Sequence, residues 1–321
     1  MLFVFLIVAV GCVAFTNGAN ANFKGVASLY GSSTTSMRTA MIWGTLTTMA
    51  GSMVALFLAQ GLFSKFSGKG LVSDELLESP LFTSAVASGA AITSFLATRF
   101  GFPVSTTHAL VGGLLGAGLM GGGHVEIVAL GKNFFYPLVL SPFLAVFVGG
   151  ALYWLMRKFY LIPKSRSTTL DIAHFTSAGI ASFARGLNDT PKMAALLLIL
   201  PGFTVTYSLM FVALLIAFGA VVDSKNVAET LGKKVTSLTP SEGFAANIAT
   251  AVLVTTASIH GLPASTTHVS VGSLLGVGVV TKQAKWRKVI EILVAWMTTV
   301  PCGAVFAAIT YEVLRLIGFQ N

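Results

Sequence analysis

Two hydroxyl-rich segments carry the side chains best suited to chemistry. GFPVSTTHALVGGLLGAGL at 101–119 is matched by GLPASTTHVSVGSLLGVGV at 261–279, far beyond chance. In each, a proline precedes Ser-Thr-Thr and a glycine-rich apolar run, which is the order of a capped helix start. Such a start binds anions, because free backbone N–H groups and the positive end of the helix dipole face the ligand and hydroxyls add further donors. Ser105, Thr106 and Thr107 are candidate anion ligands in one half, and Ser265, Thr266 and Thr267 in the other. The two helix starts are expected to face each other across a pseudo-twofold axis. Capping alone would explain one such triple, but its recurrence at corresponding places favours binding. The glycines behind it, Gly112, Gly113, Gly116 and Gly118 with Gly272, Gly276 and Gly278, read instead as close packing between helices. His108 and His268 suit proton carriage or a purely structural role equally well.

A second, fainter pair occurs in the same order: NGANANFK at 17–24 and RGLNDTPK at 185–192. Glycine and asparagine permit a helix break at Thr16-Asn17-Gly18 and across Arg185–Asp189, which would leave carbonyls free. Freed carbonyls with Asn17, Asn20, Asn188 and Asp189 make a set of hard oxygen ligands for a coupling cation. An intramembrane carboxylate is costly without a partner or a task, so Asp189 is a functional candidate. Lys24 and Lys192 stand four residues after Asn20 and Asn188, on the same face if helix follows. They would offset the charge of a dianion, or else snorkel toward an interface.

The elements that must position these residues are membrane helices. Of the 321 residues 55% are hydrophobic and 10% charged, against about 25% charged in a soluble domain. Apolar runs long enough to cross a bilayer recur at 1–15, 39–63, 80–98, 134–156, 192–222, 244–259 and 290–317. They are continuous rather than alternating, so they are helices and not barrel strands. The first is expected to be a membrane helix rather than a signal peptide, since no Lys or Arg precedes it. Cys12 and Cys302 have no second thiol or histidine at metal-ligand spacing and read as inert packing residues. The net charge of +9 sits in short loops rather than in a stripe interleaved with aromatics, which argues against nucleic acid as a partner.

Basic residues at 157–167 (Arg157, Lys158, Lys164, Arg166) and at 281–288 (Lys282, Lys285, Arg287, Lys288) place both loops on the cytoplasmic side. An even number of crossings must separate them, so the second STTH segment is expected to serve as a fourth crossing rather than a re-entrant dip. The same count gives the first half an outside N-terminus, five crossings and an outside acidic loop at Asp74, Glu75 and Glu78. An odd number of crossings inverts the second half. The expected fold is therefore an all-α, polytopic transmembrane bundle of two inverted-topology repeats, 1–160 and 161–321, with broken helices or helical hairpins at the midplane.

These motifs resemble the PiT family of inorganic phosphate transporters, whose halves each bear a GANDxxN-like segment supported by a PxSTTH segment. The resemblance spans nearly the whole chain. It implies a secondary active symporter moving phosphate by alternating access, coupled to sodium or protons, with no other cofactor and with lipid as its surroundings. By position, Asn20, Ser105, Thr106, Thr107, Asn188, Asp189, Ser265, Thr266 and Thr267 inherit substrate binding, and Asn20, Asn188 and Asp189 would hold sodium. The plasma (inner) membrane is the implied location, and pairing into a homodimer is common among such carriers. Where the family motif has aspartate this chain has Ala21; a natural alanine there weakens one cation or proton site and makes the pocket more positive, whereas an introduced one would impair transport and hold one state. The lysines also depart from the small residues of familiar members.

Sulfate, the cargo of some relatives, is the nearest alternative. A retained carboxylate favours phosphate, whose protonated form donates a hydrogen bond that sulfate lacks. A channel is disfavoured by the broken inverted halves. An enzyme is disfavoured by the absence of HExxH, nucleophile-elbow or Walker signatures, Gly121-Gly122-Gly123 lacking the required lysine.

Overall fold

The computed structural model describes residues 1–122, 125–163, 165–234 and 238–319. Lys164 and Gly123, noted above, lie outside them. The helices in chain order are α1 (Leu2–Ala21), α2 (Phe23–Gly31), α3 (Met37–Leu58), α4 (Gln60–Phe66), α5 (Asp74–Leu77), α6 (Pro80–Arg99), α7 (Thr106–Met120), α8 (Ile127–Leu130) and α9 (Tyr136–Lys158). The second half adds α10 (Thr168–Ala194), α11 (Val205–Asp223), α12 (Lys225–Glu229), α13 (Pro240–Ile259), α14 (Thr266–Val280) and α15 (Trp286–Leu316). Among the described residues no strand forms, only an isolated bridge between Lys69 and Val72. Seven stretches, with α1–α2 and α8–α9 each counted as one, are long and apolar enough to cross a membrane. α10 is not among them, because it carries the charged motif.

Hydroxyl caps begin most of the long helices. Ser36, Ser79, Ser105, Ser167, Thr204 and Ser265 each accept a backbone N–H from the first turn, and Thr239 forms a capping box with Glu242. α6 and α13 end the same way, with Gly101 at φ +71° and Gly261 at φ +62°, the left-handed conformation that closes a helix C-terminus. Pro103 and Pro263 follow, and the serine caps then start α7 and α14. Each STTH segment is thus the returning arm of a hairpin with a non-helical tip, at 100–105 and 260–265. Such backbone is tolerated at membrane depth only where protein covers it.

Contacts along the helices fix their directions. The continuous α1–α2 stretch is antiparallel to α10: Asn17 of α1 reaches Asp189, and in α2 Gly25 packs on Ser182 and Ser28 reaches His174. α6 runs with α1, Phe95 lying beside Phe15 in one groove and Thr98 bonding Asn20. α13 runs with α10 in the same way, through Ser177–Asn247 and Asn188–Ser258. The hairpins therefore enter from opposite faces and meet tip to tip, where Thr107 Oγ1 donates to the Ala264 carbonyl and Thr267 Oγ1 to that of Val104.

This geometry corrects the crossing count. The second STTH segment is not a fourth crossing, because α13 enters and α14 returns to the same face. The first half crosses by α1–α2, α3 and α8–α9, three times rather than five, and still odd. The sidedness holds: the basic loops at 157–167 and 281–288 share one face, and Asp74, Glu75 and Glu78 lie on the other. The expected breaks at Thr16-Asn17-Gly18 and Arg185–Asp189 are also absent, since α1 and α10 run through them as regular helix. Gly18 and Gly186 serve close approach instead; an added Cβ would lie 1.9 Å from the Ile216 carbonyl oxygen and 2.0 Å from that of Thr48.

The two halves interlock. α3 packs along α10 and α11 along α1, while α15 lies on α7 and α9 on α14. The last two interfaces use the glycines of the STTH runs: Gly112 and Gly116 sit against the Val300 and Ala304 carbonyls, Gly272 and Gly276 against those of Pro142 and Val146. Cys12 and Cys302 are free and lie on exposed helix faces, so they do not pack the interior.

Candidate functional site

The two motif pairs converge where the hairpin tips meet the middle of α1 and α10. Asp189 is the centre. Its carboxylate accepts from Asn17 Nδ2 at 3.3 Å and from Thr266 Oγ1 at 3.1 Å, and lies 3.4 Å from Lys192 Nζ and 3.8 Å from Arg185 Nε. The aspartate sits at the N-terminal end of α14, where the dipole favours negative charge. Arg185 also donates to Thr48 Oγ1 at 3.0 Å and to Asn17 Oδ1 at 2.7 Å.

Lys192 Nζ donates to Thr107 Oγ1 at 2.8 Å, to the Ala264 carbonyl at 2.7 Å and to Asn188 Oδ1. In the other half Lys24 Nζ donates to the Val104 carbonyl at 2.8 Å. Val104 and Ala264 are equivalent tip positions, so each lysine holds the tip of its own repeat. Asn20 holds the first of these tips, and Asn188 holds the α13 arm that leads to the second. Asn20 Nδ2 donates to Thr98 Oγ1 and the Phe102 carbonyl, and its Oδ1 accepts from Val104 N; Asn188 Nδ2 donates to Ser258 Oγ.

The carbonyls expected to be freed at the asparagine motifs are found at the tips instead. Ser105 and Ser265 are in use as caps, accepting from the His108 and His268 amides at 3.2 Å. Thr106 accepts from Asn17 Nδ2 at 2.9 Å, and Asn17 in turn reaches Asp189, so Thr106 and Thr266 approach that carboxylate from the two tips, one through Asn17 and the other directly. The candidate ligands Asn17, Asn20, Lys24, Asn188, Asp189 and Lys192 and the two Ser-Thr-Thr triples all lie in this one region.

Arg185 was not singled out, although it stands four residues before Asp189 on a helix and thus on its face. Lys24 (4% exposed), Arg185 (2%), Lys192 (1%) and Asp189 (4%) are all buried. Three cationic side chains against one carboxylate leave a formal excess of two positive charges. Burying unbalanced charge is expensive, so the arrangement calls for an anion. The histidines lie behind the tips, ring centroids 4.5 Å apart, with His268 4.0 Å from Trp296. His268 Nδ1 donates to the Leu138 carbonyl at 3.1 Å, and Trp296 Nε1 to that of Pro103 at 2.9 Å.

Comparison with known proteins identifies the family and the fold. The model of the phosphate transporter family matches twice, at residues 17–169 and 162–307, once for each half. A Rhizobium meliloti protein named "Probable low-affinity inorganic phosphate transporter" is 29% identical over 94% of this chain and 93% of its own length. A Bacillus subtilis protein of the same name is 25% identical over 99% and 98%. A solved structure titled "The sodium-dependent phosphate transporter" superposes with a TM-score of 0.84, covering 98% of this chain and 99% of its own at 23% identity, which establishes the shared fold. The chain is an integral membrane protein and belongs to the phosphate transporter family.

Proposed function

We propose that this phosphate transporter holds its anion between the two hairpin tips. The first-turn amides of α7 and α14 and the Thr106 and Thr266 hydroxyls donate to phosphate oxygens. Lys24, Arg185 and Lys192 balance its charge. Ser105, Thr107, Ser265, Thr267, Asn20 and Asn188 shape the tips, and Asp189 accepts the proton of a hydrogen phosphate. The observation that carries this reading is two helix N-termini meeting at a buried cluster with an excess of two positive charges, the charge of one hydrogen-phosphate dianion.

The repeats, 1–160 and 161–321, would alternate access by withdrawing one tip at a time. Each withdrawal breaks the reciprocal Thr107–Ala264 and Thr267–Val104 bonds and opens the site to one face. The driving ion is sodium or a proton acting at the polar cluster around Asp189. The plasma membrane is the expected location.

Labelled phosphate exchange in liposomes tests the reading. The double variant Thr106→Val with Thr266→Val should weaken phosphate binding at least about tenfold, the equivalent of one or two lost hydrogen bonds to a charged group. Unchanged binding would remove these hydroxyls from the site. Competition by arsenate but not by sulfate is the expected anion order.

A further inference from the structure

The fold neighbour is named for sodium dependence, yet among the described residues the oxygens gathered at the tip of the second repeat are already taken by a side chain. Lys192 Nζ is surrounded by the Ala264 carbonyl at 2.7 Å, Thr107 Oγ1 at 2.8 Å, Asn188 Oδ1 and the Asp189 carboxylate at 3.4 Å. A backbone carbonyl, an amide oxygen, a hydroxyl and a carboxylate, gathered at an unwound tip, are the ligand set of an alkali cation. Here a tethered ammonium already fills it. At the equivalent place in the other half, Lys24 Nζ takes the Val104 carbonyl at 2.8 Å. The carboxylate that would complete a second cation site is absent, because Ala21 stands there.

We propose that Lys24 and Lys192 are built-in replacements for inorganic coupling cations, so that this transporter binds and exchanges phosphate without sodium. The proposal rests on the reading that phosphate sits between the tips. An added sodium ion would share its oxygens with an ammonium of like charge, and the two lysines with Arg185 already balance Asp189 and a dianion together. Of the two coupling ions considered, the proton remains. The lysines are thereby specificity-determining residues: they set which cation gradient the carrier ignores.

The test is exchange of labelled phosphate by the purified chain in liposomes, with sodium replaced in turn by potassium and by choline. Wild-type exchange should keep the same rate in all three media. Lys192→Ala should lose about tenfold or more of its exchange in choline, one power of ten in transition-state stabilisation, and recover in sodium as the vacated oxygens accept the ion. Calorimetry with sodium chloride alone should then register binding to Lys192→Ala and none to wild type.

Sodium-dependent exchange by the wild type would overturn the proposal while leaving the phosphate reading intact. A Lys192→Ala protein that exchanges as wild type does in every medium would overturn it as well. No exchange in any medium would overturn the phosphate reading, and the lysine assignment would fall with it. Should the variant fail to fold, the wild-type cation series decides the matter alone.

Discussion

The segments 17–24 and 185–192 occupy equivalent places on antiparallel helices, share a glycine, an asparagine and a lysine, and differ in how their charges are settled. In 185–192 the lysine has four oxygen partners, one of them the Asp189 carboxylate. In 17–24 the lysine has, among the described residues, the Val104 tip carbonyl as its acceptor, and Ala21 replaces the carboxylate. Asn17 and Arg185, themselves an equivalent pair, bond to each other, so the second segment lends its charge to the first. Backbone geometry is conserved between the halves while electrostatics is not. The second half supplies the fixed negative charge with two cations around it and the first half supplies one cation, so each half contributes one of the two surplus positive charges that face a mobile anion.

Asp189→Asn should break this comparison most severely. It leaves three buried cations without a carboxylate, and removal of one partner from a buried pair costs about 3–5 kcal/mol. Thermal unfolding in detergent measures the loss, and phosphate in excess should recover part of it by binding the folded state. Gly18→Ala and Gly186→Ala test the conserved half of the comparison. Each new Cβ meets a backbone carbonyl at about 2 Å, so each should destabilise by about 1–3 kcal/mol, the range of overpacking, and by similar amounts in the two halves. Unequal costs would show the halves to be less symmetric than their contacts. Ala21→Asp should have the smallest effect on stability, because the new carboxylate gains Lys24 at i+3. It lowers the positive excess from two to one, so phosphate affinity should fall severalfold, about 1 kcal/mol. Titration of phosphate binding would check this, and an unchanged affinity would detach Ala21 from the site.

Much of this was legible in the residues. The repeat, the hydroxyl tips and the two basic loops on one face follow from motif spacing and charge, and the family resemblance groups Asn20 and Asp189 with those tips. Two features were not. Glycine beside asparagine reads as a helix break, yet Gly18 and Gly186 sit in unbroken helix because carbonyls of α11 and α3 press against them; only the partner helix tells packing from breaking. Hydropathy likewise reports the length of an apolar run and not its direction, so re-entrant arms of 20 and 15 residues looked like crossings. The glycine-x-proline tip at Gly101 and Gly261 was the available signal for a reversal. Arg185 was passed over as a motif boundary, although its four-residue spacing from Asp189 placed it on the same face.

The pairing of α3 with α10 has a consequence for assembly. A chain inserted from its N-terminus must keep α3 in the lipid until a helix more than a hundred residues later arrives beside it. During that wait the polar side chains of α3 have no interhelical partner. Thr45 and Ser52 bond back to the carbonyls of Met41 and Thr48, four residues earlier in the same helix. Thr48 Oγ1 and Ser52 Oγ later meet the Ser182 carbonyl and Thr190 Oγ1 of α10. Ser52 thus serves twice, satisfied within α3 while the helix stands alone in hydrocarbon and then, with Thr48, part of the recognition surface for its partner, and the first half is expected to remain protease-sensitive in the bilayer until the second has been synthesised.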